Sequence, residues 1–235
     1  MGRLVILSGA GLSAESGIPT FRDKNGLWEN HRIEDVCNYH TWERNYDLVH
    51  HFYNERRILL GTVEPNAAHR QIARWEALYP TVILTQNIDD LLERAGCREV
   101  AHLHGFLTRM RCFACGRRWE IGYRRWEAND TCPGCGSRAR VKPDVVFFGE
   151  AAPMYTYLYE TLDSLTRDDV LLVVGTRGNV LPIDAIARSV PCTKILNNLA
   201  PSEEIDERHF HHVFFEPATQ AFPKIDGVLR ELLGL

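Results

Sequence analysis

Four cysteines in the middle of the chain form two C-x-x-C pairs, Cys112 with Cys115 and Cys132 with Cys135, sixteen residues apart. Thiolates at this spacing close a tetrahedral shell around Zn2+. Gly116 and Gly136, directly after the pairs, let the backbone turn sharply beside the sulfurs. Two unrelated pairs, or a redox C-x-x-C, are the competing readings. Four sulfur ligands leave no open position for water, so the metal expected here is structural. A catalytic zinc deaminase needs H-x-E and P-C-x-x-C. Here Thr131 precedes Cys132, and His102 and His104 lack the glutamate.

The second constellation is Gly9-Ala10-Gly11-Leu12-Ser13-Ala14 after the apolar run Leu4 to Leu7. This fits G-x-G-x-x-G/A, whose glycines let a phosphate approach the backbone at a helix start. A tight strand-to-helix turn uses glycines too, and spacing alone does not separate the readings. The acidic residue that would hold a ribose about twenty positions on is ambiguous among Glu29, Glu34 and Asp35.

The third is polar density after apolar runs: Thr85 to Asp89, Gly175 to Asn179, and Asn197-Asn198. Ligands of open α/β sheets bind outside the carboxyl ends of the strands, so three such loops can line one crevice. Helix capping by Asn87 or Asp89 is the ordinary alternative. His102 and His104 alternate on what reads as one strand face, and such histidines are more often packed or solvated than catalytic.

The elements that must position these groups follow from periodicity. Strands are expected at residues 3–8, 81–85, 99–103, 170–174 and 194–196, with a further short apolar run at 145–148. Helices are expected at 44–60, 67–78, 89–95 and 182–188. Alternation of this kind predicts an α/β, doubly wound parallel sheet of Rossmann type. The stretch from Arg109 to Lys142 breaks the rhythm with nine basic and three acidic residues, and reads as a small inserted zinc ribbon. The expected division is 1–106 and 143–235 for the Rossmann-type part, with a helical insertion at about 25–65, and 107–142 for the zinc-binding part. The 235 residues are 45% hydrophobic and 25% charged with a net charge of −4, a composition that excludes disorder, collagen and coiled coil. No apolar run is long enough to cross a bilayer. No signal-peptide pattern opens the chain, and the odd count of seven cysteines fits a reducing compartment. A cytoplasmic, monomeric protein without membrane contact is expected.

Taken together, Gly9 to Ala14 continuing through Glu15-Ser16-Gly17-Ile18-Pro19 to Phe21-Arg22, Thr85 to Asp89, His104-Gly105, the four cysteines and Phe148-Gly149-Glu150 resemble the sirtuins, NAD-dependent protein lysine deacylases. The resemblance runs from residue 4 to about 220. It implies NAD and an acyl-lysine peptide meeting in a cleft between a Rossmann-type domain and a zinc domain. The cofactor set it implies is Gly9, Ala10, Gly11, Ser13, Ala14, Glu15, Phe21, Arg22, Trp28, Gln86, Asn87, Ile88 and Asp89. To these it adds Gly175, Thr176, Arg177, Asn198, Leu199, Ala200 and, in a late loop against adenine, Ala218. It makes His104 the general base, assisted by Asn87 and Gln86, and it places the peptide against Val146, Phe147, Phe148, Gly149 and Glu150.

Tyr53 and Arg56 stand at i and i+3 on an expected helix and share a face. Tyr-x-x-Arg at this place resembles the class III branch, which prefers succinyl and malonyl groups, and arginine forks onto a carboxylate. Two departures from the family stand out: Cys37 follows Glu34-Asp35-Val36 where class III members usually carry alanine, and Arg177 replaces the usual serine. Plain deacetylation or ADP-ribosyl transfer by the same fold are the alternatives. A nucleic-acid-binding zinc ribbon is more remote, having only Trp119, Tyr123 and Trp126 to stack on bases.

Overall fold

The computed structural model describes residues 2–20, 27–28 and 31–234, with the side chains of 27–28 left aside. Phe21 and Arg22, and the side chain of Trp28, lie outside what is described.

The run Leu4–Ser8 forms β1, every residue of it buried. It lies between two parallel neighbours, β4 (Thr81–Thr85) and β9 (Val170–Val174). Beyond β4 comes β5 (Val100–His102), and beyond β9 come β10 (Thr193–Asn198) and β11 (His212–Phe215), giving a six-stranded parallel sheet in the order β11-β10-β9-β1-β4-β5. A central parallel strand is covered on both faces, which is why Leu4 to Leu7 of β1 and all of β9 read as unbroken hydrophobic runs, and the buried Ser8 that ends β1 donates to Thr85 Oγ1.

Alternation along β1 sorts the two cores. Leu4 and Ile6 face α4 (Ala67–Leu78) and α8 (Ala218–Leu233), whose Ile72, Trp75, Phe222, Ile225 and Leu229 fill that side. Val5 and Leu7 face α6 (Met154–Asp163) and α7 (Ile183–Ser189), through Leu158, Leu162, Ile183 and Ile186. The Trp75 and Phe222 rings meet with centroids 4.9 Å apart. Truncating either to alanine would cost about 3–5 kcal/mol.

Short α1 (Gly11–Ala14) and α5 (Leu91–Arg94) come after β1 and β4, and short α2 (Ile33–Val36) buries Ile33 and Val36 away from this sheet. A two-stranded ribbon, β2 (Leu27–Trp28) with β3 (His31–Arg32), leads into α2. The long α3 (Tyr46–Thr62) carries its own core of Val49, Phe52, Tyr53 and Leu60. A separate antiparallel sheet is built from β6 (Gly105–Cys112), β7 (Arg118–Glu120) and β8 (Val141–Val145). Its small core is Met110, Ile121, Trp126 and Val141. The Asn54 side chain of α3 docks onto it by donating to Trp126 O at 3.0 Å and accepting from Trp126 N at 2.8 Å. The buried Arg57 joins in by donating to Asn54 Oδ1 and Arg124 O.

Several expectations are corrected. The apolar run 145–148 is not a strand: β8 stops at Val145, and Phe148 only bridges Asn38. Ala218 is not in a loop but is the first residue of α8, a helix the sequence reading missed because Pro223 and Gly227 interrupt its signal. His104 is not in a strand but in the turn between β5 and β6. The net positive charge of 109–142 is a property of the segment, not of a bare surface. Arg109, Arg111, Arg118, Arg124, Arg125, Arg138, Arg140 and Lys142 all form ion pairs, five of the acids (Glu43, Asp47, Glu55, Asp144 and Glu150) coming from outside the segment. Of the three stacking candidates, Trp126 is buried, Trp119 packs partly buried against its cluster, and Tyr123 is exposed.

Candidate active site

A cleft of about 930 Å³ opens at the carboxyl ends of β1, β4, β9 and β10 and runs to the antiparallel sheet. Its floor is formed by two loops in close approach. Gly9 N donates to Val174 O at 2.9 Å and Gly11 N to Gly175 O at 2.8 Å. A Cβ on Gly11 would lie 2.6 Å from Gly175 Cα, and Gly175 itself sits at φ +66°. The glycines are therefore explained by backbone meeting backbone. The Gly11 amide is already engaged and does not point free into the cleft. Ala10, Ala14 and Glu15 also line the cleft, and Glu15 accepts from Thr219 N and Thr219 Oγ1 at the start of α8.

At the far end of the sheet, the Asn198 amide locks Thr176: Oδ1 accepts from Thr176 N at 3.0 Å and Nδ2 donates to Thr176 O at 2.9 Å. Gln86 Nε2 donates to Thr176 Oγ1 across the cleft. Gly175, Arg177, Leu199, Ala200 and Ala218 complete this wall, with Arg177 exposed at the rim.

Behind Asn87 and Asp89 lies a buried polar network. Asn66 N donates to His69 Nδ1 at 3.2 Å, so the His69 hydrogen is on Nε2, which faces Ser13 Oγ at 3.3 Å. Ser13 Oγ also accepts from Asn87 Nδ2 at 3.1 Å and donates to Asp89 Oδ2 at 2.9 Å. The hydroxyl thus uses both lone pairs and its proton. Burial pushes the His69 pKa down to about 4 and raises that of Asp89. Ser13, expected at the cofactor, does not reach the cleft but orients Asn87 and Asp89, which do. His69 was missed; the Asn66-x-x-His69 capping box was its one available signal.

His104 faces the cleft from the turn before β6. Its Nδ1 lies 3.1 Å from Gln86 O, a partner that can only accept, so Nδ1 carries the hydrogen and Nε2 the lone pair. Nε2 meets the Tyr155 hydroxyl at 2.9 Å. Burial lowers the His104 pKa, keeping the imidazole neutral below the usual histidine range. His102 faces elsewhere, between Asn87 O and Glu93.

Val146, Phe147, Phe148, Gly149 and Glu150 form the opposite lip with Cys37. Glu150, expected to meet substrate, is committed inward: it lies 3.0 Å from Lys142 Nζ and 3.2 Å from Arg111, and it accepts from Phe147 N. Tyr53 and Arg56 sit one layer behind the lip. The Tyr53 ring stacks on Phe147 at 5.6 Å, and its hydroxyl interacts with the Cys37 thiol. The Arg56 guanidinium lies over the Phe52 ring and donates to Phe52 O at 2.7 Å; burial brings its pKa down to about 9.

The Sγ atoms of Cys112, Cys115, Cys132 and Cys135 lie within 4.8 Å of one another. The contacts Cys112–Cys135 at 3.7 Å and Cys115–Cys132 at 3.6 Å match the roughly 3.8 Å edge of a tetrahedron with Zn–S bonds of about 2.3 Å. The donor set fits Zn2+ with no position left for substrate.

The model of the Sir2 family matches residues 9–182. An NAD-dependent protein deacylase of Helicobacter hepaticus is 42% identical over 98% of this chain and 98% of its own. The NAD-dependent protein deacylase SIR2rp3 of Trypanosoma brucei brucei is 43% identical over 94% of this chain and 92% of its own. Among solved structures, a Sir2 homolog–NAD complex superposes with TM-score 0.82 at 33% identity, covering 99% of this chain and 91% of that one.

Proposed function

The chain belongs to the Sir2 family, and on that footing we propose that it removes acyl groups from protein lysines with NAD as co-substrate, yielding nicotinamide and O-acyl-ADP-ribose. The observation that carries the reading is the fixed tautomer of His104, whose Nε2 lone pair faces the cleft. In this reading the pyrophosphate runs along the Ala10–Gly11 turn, the adenosine half lies against Thr176, Arg177 and Asn198 to Ala200, and Ala218 borders the adenine. Phe21, Arg22 and Trp28 are assigned to the cofactor by family resemblance alone.

The acyl oxygen attacks the ribose carbon that releases nicotinamide, a step of oxocarbenium character that competing water would intercept. Gln86, Asn87 and Asp89 enclose that end, Asn87 and Asp89 being almost completely buried. His104 Nε2 then takes the proton of a ribose hydroxyl, work suited to an imidazole that is neutral at physiological pH. The freed oxygen bonds to the former acyl carbon, and one water, admitted after nicotinamide has left, adds there as the carbon's bond to the lysine nitrogen breaks, releasing the amine and leaving the acyl group on the ribose. The acyl-lysine lies along the lip from Val146 to Gly149. Zn2+ held by Cys112, Cys115, Cys132 and Cys135 supplies a cross-link and no chemistry.

Product mass spectrometry with NAD and acyl-lysine peptides tests this. Free lysine and O-acyl-ADP-ribose, lost in His104→Ala, are expected; mass gain on a protein acceptor instead would make the output ADP-ribosyl transfer.

A second reading concerns the acyl group. Tyr53 and Arg56 share one face of α3, with the Tyr53 ring stacked on Phe147 of the lip, and a guanidinium can fork onto a carboxylate while a phenol adds a further bond. Succinyl and malonyl groups carry such a carboxylate. Desuccinylation that collapses in Arg56→Met while deacetylation persists is the expected result; indifference of both activities to the substitution would sink the acid pocket.

A further inference from the structure

His104 Nε2 has one lone pair, and Tyr155 holds it. The imidazole nitrogen and the phenol oxygen are 2.9 Å apart, with ring centroids 5.9 Å apart and planes inclined by 46°. Since Nδ1 bears the hydrogen bonded to Gln86 O, the phenol O–H is the donor. Both side chains line the cleft. Tyr155 is not free to drift: it lies in the first turn of α6, beside Leu158 in the core under the parallel sheet, and Tyr159 packs edge-on against its ring at 6.3 Å. Among the described residues no carboxylate or cation lies within ion-pair distance of the His104 ring. The polar groups facing it are Gln86 O from the loop after β4 and Tyr155 from α6, with Tyr159 behind.

A general base cannot accept a ribose proton through a lone pair that another donor occupies. We infer that Tyr155 is a positioning residue that holds His104 through Nε2, so that the ribose hydroxyl of the co-substrate must displace the phenol to reach its base. This rests on the deacylase reading and deepens it. The phenol keeps the imidazole in one rotamer. The same contact opposes NAD entry, because one protein hydrogen bond is exchanged for another.

Tyr155→Phe separates these effects, since it keeps the ring and its packing and removes only the hydroxyl. The expected result is a Kd for NAD lowered about two- to tenfold, the usual weight of one neutral hydrogen bond, with the gain falling on affinity and KM rather than on kcat. Tyr159→Phe, on the exposed side of the same helix, is the control. Independently of catalysis, the 15N resonance of His104 Nε2 in the cofactor-free protein should move in Tyr155→Phe toward that of an unbonded ring nitrogen. An unmoved resonance overturns the inference, as does an unchanged Kd. A fall in kcat without a gain in affinity overturns it too, because the hydroxyl would then be working in turnover. Absence of NAD-dependent deacylation in the wild type would instead defeat the functional reading, leaving the resonance shift to report on the contact alone.

Discussion

Lys142 Nζ lies 3.0 Å from the Glu150 carboxylate with both side chains shielded, 1% and 7% exposed, where the antiparallel sheet meets the lip of the cleft. The ammonium also donates to Pro143 O and Val145 O and sits over the Phe147 ring at 4.0 Å. Burial lowers the Lys142 pKa, and Glu150 opposes that shift.

Glu150→Gln should therefore act as a stability variant before it acts as a binding variant. It leaves an uncompensated ammonium in the interior, at a cost of about 3–5 kcal/mol. Urea unfolding should show this loss, and adding Lys142→Met should recover part of it. Full stability in Glu150→Gln with a raised peptide KM would return the residue to the substrate.

The antiparallel sheet has a small core, so its integrity should depend on the metal. One zinc per chain is expected by elemental analysis. Cys115→Ser should lose it and lower the melting temperature, and activity should fall because the lip from Val146 to Glu150 continues directly from β8. Retention of full activity by a zinc-free protein would contradict this coupling.

His69 has its pKa brought down to about 4 by burial, against about 6.5 in an unfolded chain. Between these values the unfolded state binds the extra proton, so stability rises with pH there. It is complete above about pH 6.5 and declines on acidification toward pH 4, by an amount on the order of 3 kcal/mol. His50, with its pKa brought down to about 3 by burial, should add to the same trend. Chemical denaturation at pH 5 and 7.5 should show the slope, and His69→Gln should flatten it.

The acid limb of kcat/KM reports the free enzyme's base, which in the proposed function is His104. Burial lowers the His104 pKa, so this limb should fall below about pH 6.5. Activity requires the neutral form and declines as pH drops through that pKa. Reversible activity on return to pH 7.5 separates titration from unfolding, and a limb above pH 7 would contradict the burial argument.

The central strands, α4 and the cysteine pairs were legible because each is carried by a local signal: unbroken apolar runs, a capped amphipathic repeat, fixed ligand spacing. Residues acting across the fold were not. Arg57 is next to Arg56 in the chain, yet Arg57 is the one that joins α3 to the loop at Trp126, and no spacing rule distinguishes them. Tyr155 carries no motif, and its meeting with His104 depends on how α6 approaches the β5–β6 turn. Glu150 was read from a motif as a substrate contact, but its direction was set by Lys142 and Arg111, which only the folded antiparallel sheet brings to it.

The contact between Glu15 and Thr219 spans 204 positions, and β1, the first strand of the sheet, is paired on one side by β9. A ribosome delivers these pieces in order. The nascent Gly9–Gly11 turn must wait for Gly175 to emerge before its backbone has a partner, and Glu15 must wait longer, for α8. The floor of the cleft is thus translated well before the partners that complete it, so an unfinished chain cannot assemble the cleft until Gly175 and Thr219 have emerged.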